Sequence, residues 1–299
     1  MAAAPAFGTN LRSWVYPVRP AEFRRAHWGK KHLFVPGSPA RLARLLRGLR
    51  SVRIEDLVGA CEGPVSAWYV DQGRPDYSLE VTRAIAPRLY RAGLTLYFRL
   101  DPKLPMVASL IANTSRELAH APLRTVLSVF ATRRGNHTRP HVDFNENFTV
   151  QLTGRKTWRL GPTRMSVTCQ MDPGSMLYCP SPWLHETFAR DDSISLNLSF
   201  QRFSWAEFVA PALRSALEQH PRWKENAFGL WGDAKNQAAG LSHLQSLLGG
   251  LGEGLRGLGD LETFFQILKG SAPAAPNTAD AEPSTDPIAS AVSRSKKRR

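Results

Sequence analysis

Apolar and polar residues recur at two different periods along this chain, and the change of period divides it into segments. In residues 1–120, apolar side chains fall at roughly helical spacing in three stretches, 41–46, 79–85 and 107–118, which we predict to be helices. A strand-like run at 94–98 interrupts them. We therefore predict that residues 1–120 form a mainly helical segment that packs on the domain that follows.

A second pattern begins after residue 120, where short β-rich runs are separated by Gly and Pro up to residue 203. Short strands of this kind are typical of an antiparallel barrel or a jelly roll. Residues 193–199 alternate strictly between polar and apolar side chains, so one face of this strand packs on a core and the other faces either water or a polar cavity. Asn197 lies on that polar face. We predict that residues 121–203 form the barrel core.

Helical periodicity returns in residues 204–270, beyond the barrel. Ser204 and Glu207 form an S-x-x-E capping box, which marks the start of a helix. Leucines repeat at helical spacing over 241–258, although five glycines weaken this stripe. A packing or dimerisation element fits the stripe better than a membrane-surface helix does, so a homodimer is one prediction. Residues 271–299 are poor in large apolar side chains and end in a basic run, which predicts a disordered tail.

The composition is that of a globular protein large enough to be an enzyme. With 42% hydrophobic and 21% charged residues, the 299-residue chain can bury a sizeable core. No apolar run approaches the roughly 20 residues that span a bilayer, and the first residues lack the pattern of a signal peptide. Three cysteines without C-x-x-C spacing suit a reducing compartment. We therefore predict a cytoplasmic protein without membrane contact.

Charge is the one bulk property out of the ordinary. The chain carries 39 Lys plus Arg against 25 Asp plus Glu, a net charge of +14. Most of these cations are arginines, which favour phosphate or carboxylate partners. Proximity to RNA or to ribosomes would explain the charge, and so would a codon usage that favours Ala, Arg and Gly. The composition leaves both explanations open.

His141 and Asp143 are the first candidates for chemistry. Side chains two positions apart on a β-strand leave the same face, so this imidazole and this carboxylate can bind one ion. His185 follows 44 residues after His141, and a barrel can return its strand beside the first. Two histidines and one carboxylate leave three positions of a metal open, which suits non-haem Fe(II) and oxygen chemistry. A tetrahedral Zn(II) site with three protein ligands is the open alternative.

Lys156 is the residue that favours Fe(II) over Zn(II). An Fe(II) enzyme of this kind needs a dicarboxylate cosubstrate that chelates the metal at one end and meets a cation at the other. Lys156, 15 residues after His141, offers that cation, but Arg155 stands next to it. Because adjacent strand residues face opposite ways, only one of the two can point into a pocket.

These candidates lie within a longer resemblance. Four segments are similar, in order and in spacing, to the signature of the JmjC oxygenases: residues 138–143, 147–160, 173–180 and 183–186. Residues 23–33 also resemble the opening segment of the ribosomal-oxygenase-like branch, which hydroxylates side chains of ribosomal proteins. The similarity extends from about residue 15 to about residue 220.

The resemblance implies a fold and a metal. The fold is α+β, with a double-stranded β-helix core, the cupin or jelly-roll barrel of JmjC domains, and flanking N- and C-terminal helices. The metal is Fe(II), bound by His141, Asp143 and His185.

The resemblance also implies two cosubstrates, 2-oxoglutarate and O2. Lys156 would pair with the distal carboxylate of 2-oxoglutarate, helped by Thr138, while Asn147 and Asn197 would line the same pocket.

The chain departs from the family pattern in two places. Ser175 stands where the family usually has an aspartate in a Pro-Gly-Asp turn, a change that we expect to alter the turn without touching the metal. Residues 221–270 leave little room for both the dimerisation helices and the winged-helix domain of the ribosomal oxygenases. The surface that presents the substrate is therefore expected to differ.

We predict an Fe(II)- and 2-oxoglutarate-dependent dioxygenase that hydroxylates a side chain, with a protein, and among proteins a ribosomal one, as the expected substrate. One alternative is a Zn or Mn cupin enzyme that does not use 2-oxoglutarate. Another is a non-catalytic basic scaffold that binds RNA or a protein. The intact triad together with Lys156 speaks against the scaffold, because nothing structural requires these four polar groups to converge.

Overall fold

The computed structural model describes residues 5–69, 77–120, 122–202, 204–219, 221–225 and 234–256. The chain divides into two compact units, Met1–Arg202 and Phe203–Arg299.

The first unit combines helices with a large number of strands. Its α-helices are α1 (Leu11–Val15), α2 (Pro20–Ala26), α3 (Ala43–Leu49), α4 (Ile54–Gly59), α5 (Ala86–Arg91) and α6 (Pro105–Glu117). Its strands are β1 (Leu33–Val35), β2 (Cys61–Tyr69), β3 (Tyr77–Val81), β4 (Thr95–Leu100), β5 (Thr125–Thr132), β6 (His137–Val142), β7 (Asn145–Thr153), β8 (Lys156–Gly161), β9 (Val167–Met171), β10 (Met176–Cys179), β11 (Leu184–Ala189) and β12 (Ser193–Gln201). Short 3-10 helices cover Pro39–Leu42 and Pro122–Arg124.

Two antiparallel sheets form the barrel. The larger sheet has the strand order β1-β10-β7-β12-β5-β4-β2-β3, and the smaller sheet has the order β6-β11-β8-β9. The four central strands β10-β7-β12-β5 face the four strands of the smaller sheet, the arrangement of a double-stranded β-helix. The predicted α+β fold with a jelly-roll core is confirmed.

The larger sheet turns its apolar face outward to the helices and its polar face inward. Along β12, Leu196, Leu198 and Phe200 belong to the main hydrophobic core, whereas Ser195 and Asn197 line the barrel cavity. This follows from the two-residue period of a strand. The polar face of β12 is therefore turned to a cavity and not to bulk water.

Aromatic side chains fasten the N-terminal helices to the outer face of the larger sheet. The ring of Phe148 lies 6.2 Å from that of Trp14 in α1 and 5.4 Å from that of Phe23 in α2, measured between centroids. Behind α2, the backbone N–H of Gly29 donates to the hydroxyl of Tyr178, 2.7 Å away. The helices α1 and α2 thus lie against β7 and β10, on the side opposite the cavity.

A buried arginine ties this helical layer to the turn before β10. Arg41 is 2% exposed, and its guanidinium donates to the carbonyl oxygens of Ser13 (3.1 Å) and Gly174 (3.2 Å). Ser175, which replaces the aspartate of the family pattern, accepts the N–H of Gly37 through its hydroxyl at 3.2 Å. The turn is therefore held by the N-terminal segment.

The sequence predicted most of the N-terminal elements, with one error. Helices at 41–46 and 107–118 and the strand at 94–98 are confirmed. The predicted helix at 79–85 is wrong, because residues Tyr77–Val81 form β3 and pair with β2. Residues 1–120 also contribute β1, β2, β3 and β4 to the larger sheet, so they extend the sheet as well as packing helices on it.

The second unit is helical where the structure describes it. It contains α7 (Trp205–Gln219), a 3-10 helix at Pro221–Lys224, and α8 (Ala234–Arg256). The capping box is confirmed, since the N–H of Glu207 donates to the hydroxyl of Ser204 (3.1 Å) and the N–H of Ser204 donates to the carboxylate of Glu207 (2.7 Å). Leu241 and Leu248 of the leucine stripe are exposed, and the homodimer stays a prediction.

The remaining predictions concern the C-terminal segment, membrane contact, the cysteines and the cellular location. The end of the leucine stripe and the tail at 271–299 lie outside the described residues. Among the helices that the structure describes, none has the length and apolar character needed to cross a membrane. Cys61, Cys169 and Cys179 are free and buried. The cytoplasmic location stays a prediction.

Candidate active site

The barrel brings His141, Asp143 and His185 together, as their spacing predicts. His141 is the second-last residue of β6, Asp143 follows that strand, and His185 lies directly opposite His141 in the antiparallel neighbour β11. Nε2 of His141 is 3.9 Å from Asp143 Oδ1, and Nε2 of His185 is 3.7 Å from Asp143 Oδ2. One donor atom from each residue lies within 4.8 Å of the other two. The three side chains can therefore hold one ion.

Backbone carbonyls set the orientation of both imidazoles. Nδ1 of His141 is 2.8 Å from the carbonyl oxygen of Arg139, and Nδ1 of His185 is 3.0 Å from that of Trp183. Because a carbonyl oxygen only accepts, each Nδ1 carries a proton, and in a neutral ring Nε2 then keeps its lone pair for a metal. Burial, reinforced by His141, lowers the pKa of His185, which keeps its ring in the neutral form that binds metals.

Two asparagines extend a chain of hydrogen bonds from one metal ligand, Asp143, into the barrel. The amide of Asn147 donates to Asp143 Oδ2 at 2.7 Å, and its carbonyl oxygen accepts from the amide of Asn197 at 3.3 Å. The side-chain oxygen Oδ1 of Asn197 in turn accepts from the hydroxyl of Thr149 at 2.9 Å. The family resemblance assigned both asparagines to the pocket lining, but it did not predict that Asn147 orients a metal ligand.

Replacing Asn147 by Ala is expected to weaken metal binding about 10- to 100-fold, the usual loss when the group that orients a metal ligand is removed. The variant frees the carboxylate of Asp143 to rotate without changing any of the three ligands. The dissociation constant for Mn(II), followed by electron paramagnetic resonance, measures the effect.

The matched control for this prediction is Asn145→Ala, on the same strand but outside the pocket lining. It should leave the dissociation constant within about twofold, because the half-buried Asn145 lies outside the cavity that contains the three ligands. Equal Mn(II) affinity of the Asn147 variant and the unmodified protein would contradict the role of Asn147.

Lys156 lies at the far end of the same cavity. Its side chain is buried at the start of β8, with Nζ 3.4 Å from the hydroxyl of Ser195 and 5.8 Å from the centre of the Phe130 ring. No carboxylate pairs with it among the residues that the structure describes. Burial lowers the pKa of Lys156 to about 7. A buried ammonium without a counter-charge is costly, so this group is suited to receive an anion.

Arg155 points the other way. Its Nε lies 2.6 Å from Asp191 Oδ2, and its side chain is 61% exposed. Of the two adjacent cations, Lys156 is therefore the one that faces the cavity. The sequence left open which of the two points inward, and the structure shows that it is Lys156.

One cavity connects the triad to Lys156, and residues from both sheets line it. The lining residues are Trp68, Thr95, Phe130, Thr132, His137, Thr138, His141, Asp143, Asn147, Thr149, Lys156, Trp158, His185, Thr187, Ser195 and Asn197. All seven site residues predicted from the sequence are among them. Their roles toward 2-oxoglutarate stay predictions.

Thr138 is held by the neighbouring strand. Its hydroxyl lies 3.1 Å from that of Thr187 and accepts the backbone N–H of Thr187 at 2.9 Å. Thr138 therefore lines the cavity with a fixed hydroxyl, which can still donate its own proton.

Sequence reasoning missed the aromatic part of the lining. The ring of Trp158 stacks on His185, with centroids 5.4 Å apart and an angle of 18° between the planes. Its position two residues after Lys156 on one strand was a signal for the same inward face. Trp68 and Phe130, whose rings meet at 5.9 Å, come from β2 and β5, and no local signal connects them with the triad.

The chain is similar to JmjC proteins in sequence. Residues 109–170 match the JmjC domain model. Uncharacterized protein YxbC of Bacillus subtilis is 26% identical over 81% of this chain and 86% of its own length. Ribosomal oxygenase 1 of Gallus gallus is 26% identical over 70% of this chain and 40% of its own length. The chain thus spans less than half of this ribosomal oxygenase.

The fold has solved counterparts. The structure of YcfD, a ribosomal oxygenase from Escherichia coli, in complex with cobalt and 2-oxoglutarate superimposes with a TM-score of 0.53 at 18% identity, and covers 78% of this chain and 67% of that one. At this identity the superposition shows a shared fold, and the cobalt and 2-oxoglutarate of that structure belong to YcfD. The predicted resemblance to the JmjC proteins of the ribosomal-oxygenase-like branch is confirmed.

Proposed function

We propose that this chain is an Fe(II)- and 2-oxoglutarate-dependent oxygenase that hydroxylates a side chain of a protein substrate, and that a ribosomal protein is the first candidate for that substrate. The observation that carries the proposal is a single cavity with a three-residue metal site at one end and a buried ammonium, without a carboxylate partner among the described residues, at the other.

The donor set fits Fe(II). Two imidazole nitrogens and one carboxylate oxygen leave three coordination positions for a chelating cosubstrate and O2. His141 and Asp143 have side chains that are 42% and 40% exposed, whereas that of His185 is 3% exposed. The metal would therefore be reachable from one side only, and the other side is closed by the barrel.

The cavity also fits 2-oxoglutarate, since Lys156 offers a cation for the distal carboxylate and the hydroxyl of Ser195 lies beside it. Fe(II), 2-oxoglutarate and O2 supply the oxidative decarboxylation to succinate and carbon dioxide that is coupled to insertion of an oxygen atom into a C–H bond. The chain's own part is to hold the two ends of the cosubstrate and to exclude water. Thr138, Asn147 and Asn197 would orient it between them.

The two rival functions explain less of the structure. A Zn or Mn cupin that works without 2-oxoglutarate would not bind a dicarboxylate, so its function does not explain a buried ammonium at the end of the cavity. A binding scaffold has no use for it either, and burying an unpaired cation lowers stability unless a ligand compensates. The orphan charge of Lys156 therefore favours an acidic cosubstrate.

A protein side chain can approach along the open side of the barrel. β6 is an edge strand of the smaller sheet, and the larger sheet extends past β5 into β4 and β2. The side chains of His141 in β6 and Asp143 after it are partly exposed, so the metal site is open to solvent at this edge. Trp68 on β2 and Phe130 on β5 line the same cavity, with the Phe130 ring on the side of Lys156. The similarity to ribosomal oxygenases supports a ribosomal protein as its source.

Reconstitution tests the proposed reaction. Purified protein with Fe(II), ascorbate and 2-oxoglutarate is expected to release succinate slowly without any substrate, and faster with extracted ribosomal proteins, in which mass spectrometry should find an increment of one oxygen. Release of succinate without an oxygen increment in any ribosomal protein would contradict the substrate, and absence of succinate would contradict the reaction itself.

Binding of 2-oxoglutarate is expected to take up close to one proton at pH 8. With a pKa of about 7, Lys156 is mostly neutral at that pH, and a carboxylate beside it favours the charged form. Isothermal titration calorimetry of the Mn(II)-loaded protein in phosphate and in Tris measures the uptake, because the two buffers differ in ionisation enthalpy.

The variant Lys156→Arg is the control for this uptake, since an arginine is charged with or without the ligand. It should bind 2-oxoglutarate without a buffer-dependent enthalpy. At pH 6, below the pKa of Lys156, the uptake in the unmodified protein should shrink as well. An uptake that is zero at pH 8 would mean that Lys156 is already charged in the empty pocket.

A further inference from the structure

Positive charge is segregated along the chain. Residues 1–53 contain eleven Lys and Arg against one acidic residue, Glu22, and residues 294–299 contain five more cations. The residues between them, 54–293, carry 23 Lys and Arg against 24 Asp and Glu. A codon preference for arginine would spread cations over the whole length. The segregation therefore favours a function for the N-terminal cations.

The structure exposes ten of these eleven cations. Arg41 is buried, and the exposed ones, called the basic layer below, are Arg12, Arg19, Arg24, Arg25, Lys30, Lys31, Arg44, Arg47, Arg50 and Arg53. Within the described residues, none of the ten forms an ion pair with a carboxylate. Arginines elsewhere do so, as Arg155 pairs with Asp191. The positive charge of the basic layer is therefore open to a partner.

The helices α1, α2 and α3, which carry five of these ten cations, pack into the hydrophobic core on the outer side of the larger sheet. The guanidinium of Arg24 donates to the carbonyl oxygen of Glu117 at the end of α6 (2.9 Å), and the carboxylate of Glu117 accepts the N–H of Leu11 at the start of α1 (2.7 Å). Arg44 and Arg47, three residues apart on α3, share a helix face. α1 and α2 cover the outer face of the sheet, and the cavity lies on its inner face.

The chemistry of the layer points to phosphates and away from a lipid surface. Nine of the eleven N-terminal cations are arginines, whose planar fork matches phosphate oxygens. A helix that lies on a membrane needs an exposed apolar face. Here the apolar side chains of α1, α2 and α3, such as Trp14, Phe23 and Leu45, are buried in the core, and none of the large apolar residues of 5–53 is exposed.

We propose that the basic layer binds the phosphate backbone of RNA on the side of the sheet opposite the active site. A partner that docks on this side leaves the cavity open to a protein side chain. The choice of RNA among polyanions rests on the proposed ribosomal substrate, whereas the phosphate-binding surface itself does not depend on the oxygenase reaction.

Two triple variants of the full chain test the proposal. Arg25→Gln/Arg44→Gln/Arg47→Gln removes three charges from the basic layer. Arg88→Gln/Arg134→Gln/Arg164→Gln removes three exposed charges outside residues 1–53. The net charge of the two variants is the same, and both keep the basic tail. Fluorescence anisotropy with a labelled mixed-sequence RNA hairpin, at salt concentrations from 50 to 400 mM, measures the affinity of each.

The first variant is expected to bind the RNA at least about tenfold more weakly at 100 mM salt, and the slope of log affinity against log salt should fall by about two, since each lost phosphate contact removes about 0.7 to 0.9. The second should stay within about twofold of the unmodified chain. Succinate release should be unchanged in both variants, which separates this result from the fate of the proposed reaction.

Equal weakening of RNA binding in the two variants would overturn the proposal, because net charge alone would then explain the affinity. Tighter binding to phosphatidylserine vesicles, to polyglutamate or to a DNA hairpin of the same sequence than to the RNA would overturn the assignment to RNA.

Discussion

The double variant His141→Ala/Asp143→Ala is expected to release no more succinate from 2-oxoglutarate than Fe(II) does in buffer alone. It removes two of the three side chains whose donor atoms converge within 4.8 Å, and the single imidazole of His185 cannot keep a divalent ion. Losing a group that merely orients a metal ligand lowers affinity about 10- to 100-fold, so losing two ligands should lower it by more than about a hundredfold. Succinate release and Mn(II) binding are measured together.

The control removes another histidine and carboxylate that lie close together. Nε2 of His243 and a carboxylate oxygen of Glu225 are 3.3 Å apart in the second unit, far along the chain from the triad. His243→Ala/Glu225→Ala should keep both succinate release and Mn(II) binding. Unchanged succinate release in the His141/Asp143 variant would refute the metal site and with it the oxygenase.

The sequence predicted the triad because its geometry depends on rules that strands obey everywhere. The two-residue period places His141 and Asp143 on one face, and the antiparallel pairing of β6 with β11 places His185 opposite His141. The sequence alone did not show that β11 pairs with β6, and this pairing had to be assumed. In a barrel few other neighbours are possible for β6.

The orientation of Lys156 could not be predicted from strand period alone. Either Lys156 or Arg155 could face inward, and the choice depends on a contact distant in sequence. Asp191, in the turn between β11 and β12, pairs with Arg155 on the outside. The wrong helix at 79–85 has a similar cause. The spacing of Leu79 and Val81 also fits a strand, and it was the pairing of β3 with β2 that decided it.

The variant Lys156→Met is expected to need about ten to a hundred times more 2-oxoglutarate for half-maximal turnover, with Mn(II) binding close to that of the unmodified protein. Methionine keeps the unbranched stem of the lysine and removes the charge. A charge-assisted hydrogen bond contributes about 1.5–3 kcal/mol, and 1.4 kcal/mol is about tenfold in affinity. Arg155→Met, on the exposed neighbour, should change the requirement by less than about twofold. Reversed effects would mean that the strand register and the pocket assignment are both wrong.

A stability measurement on the same variant distinguishes a binding group from a structural one. The pKa of Lys156 is about 7 in the folded protein and about 10.4 in an unfolded chain. Between these values the unfolded chain binds the proton more tightly, so the lysine destabilises the empty protein increasingly as pH falls from 10.4 to 7. Lys156→Met should therefore unfold at a higher temperature than the unmodified protein, and the gain should be larger at pH 7 than at pH 9. If Lys156 lowers the stability of the empty protein and raises its affinity for 2-oxoglutarate, its role is to bind the ligand and not to stabilise the fold. A lower unfolding temperature of Lys156→Met at pH 7 would instead show that the ammonium stabilises the fold.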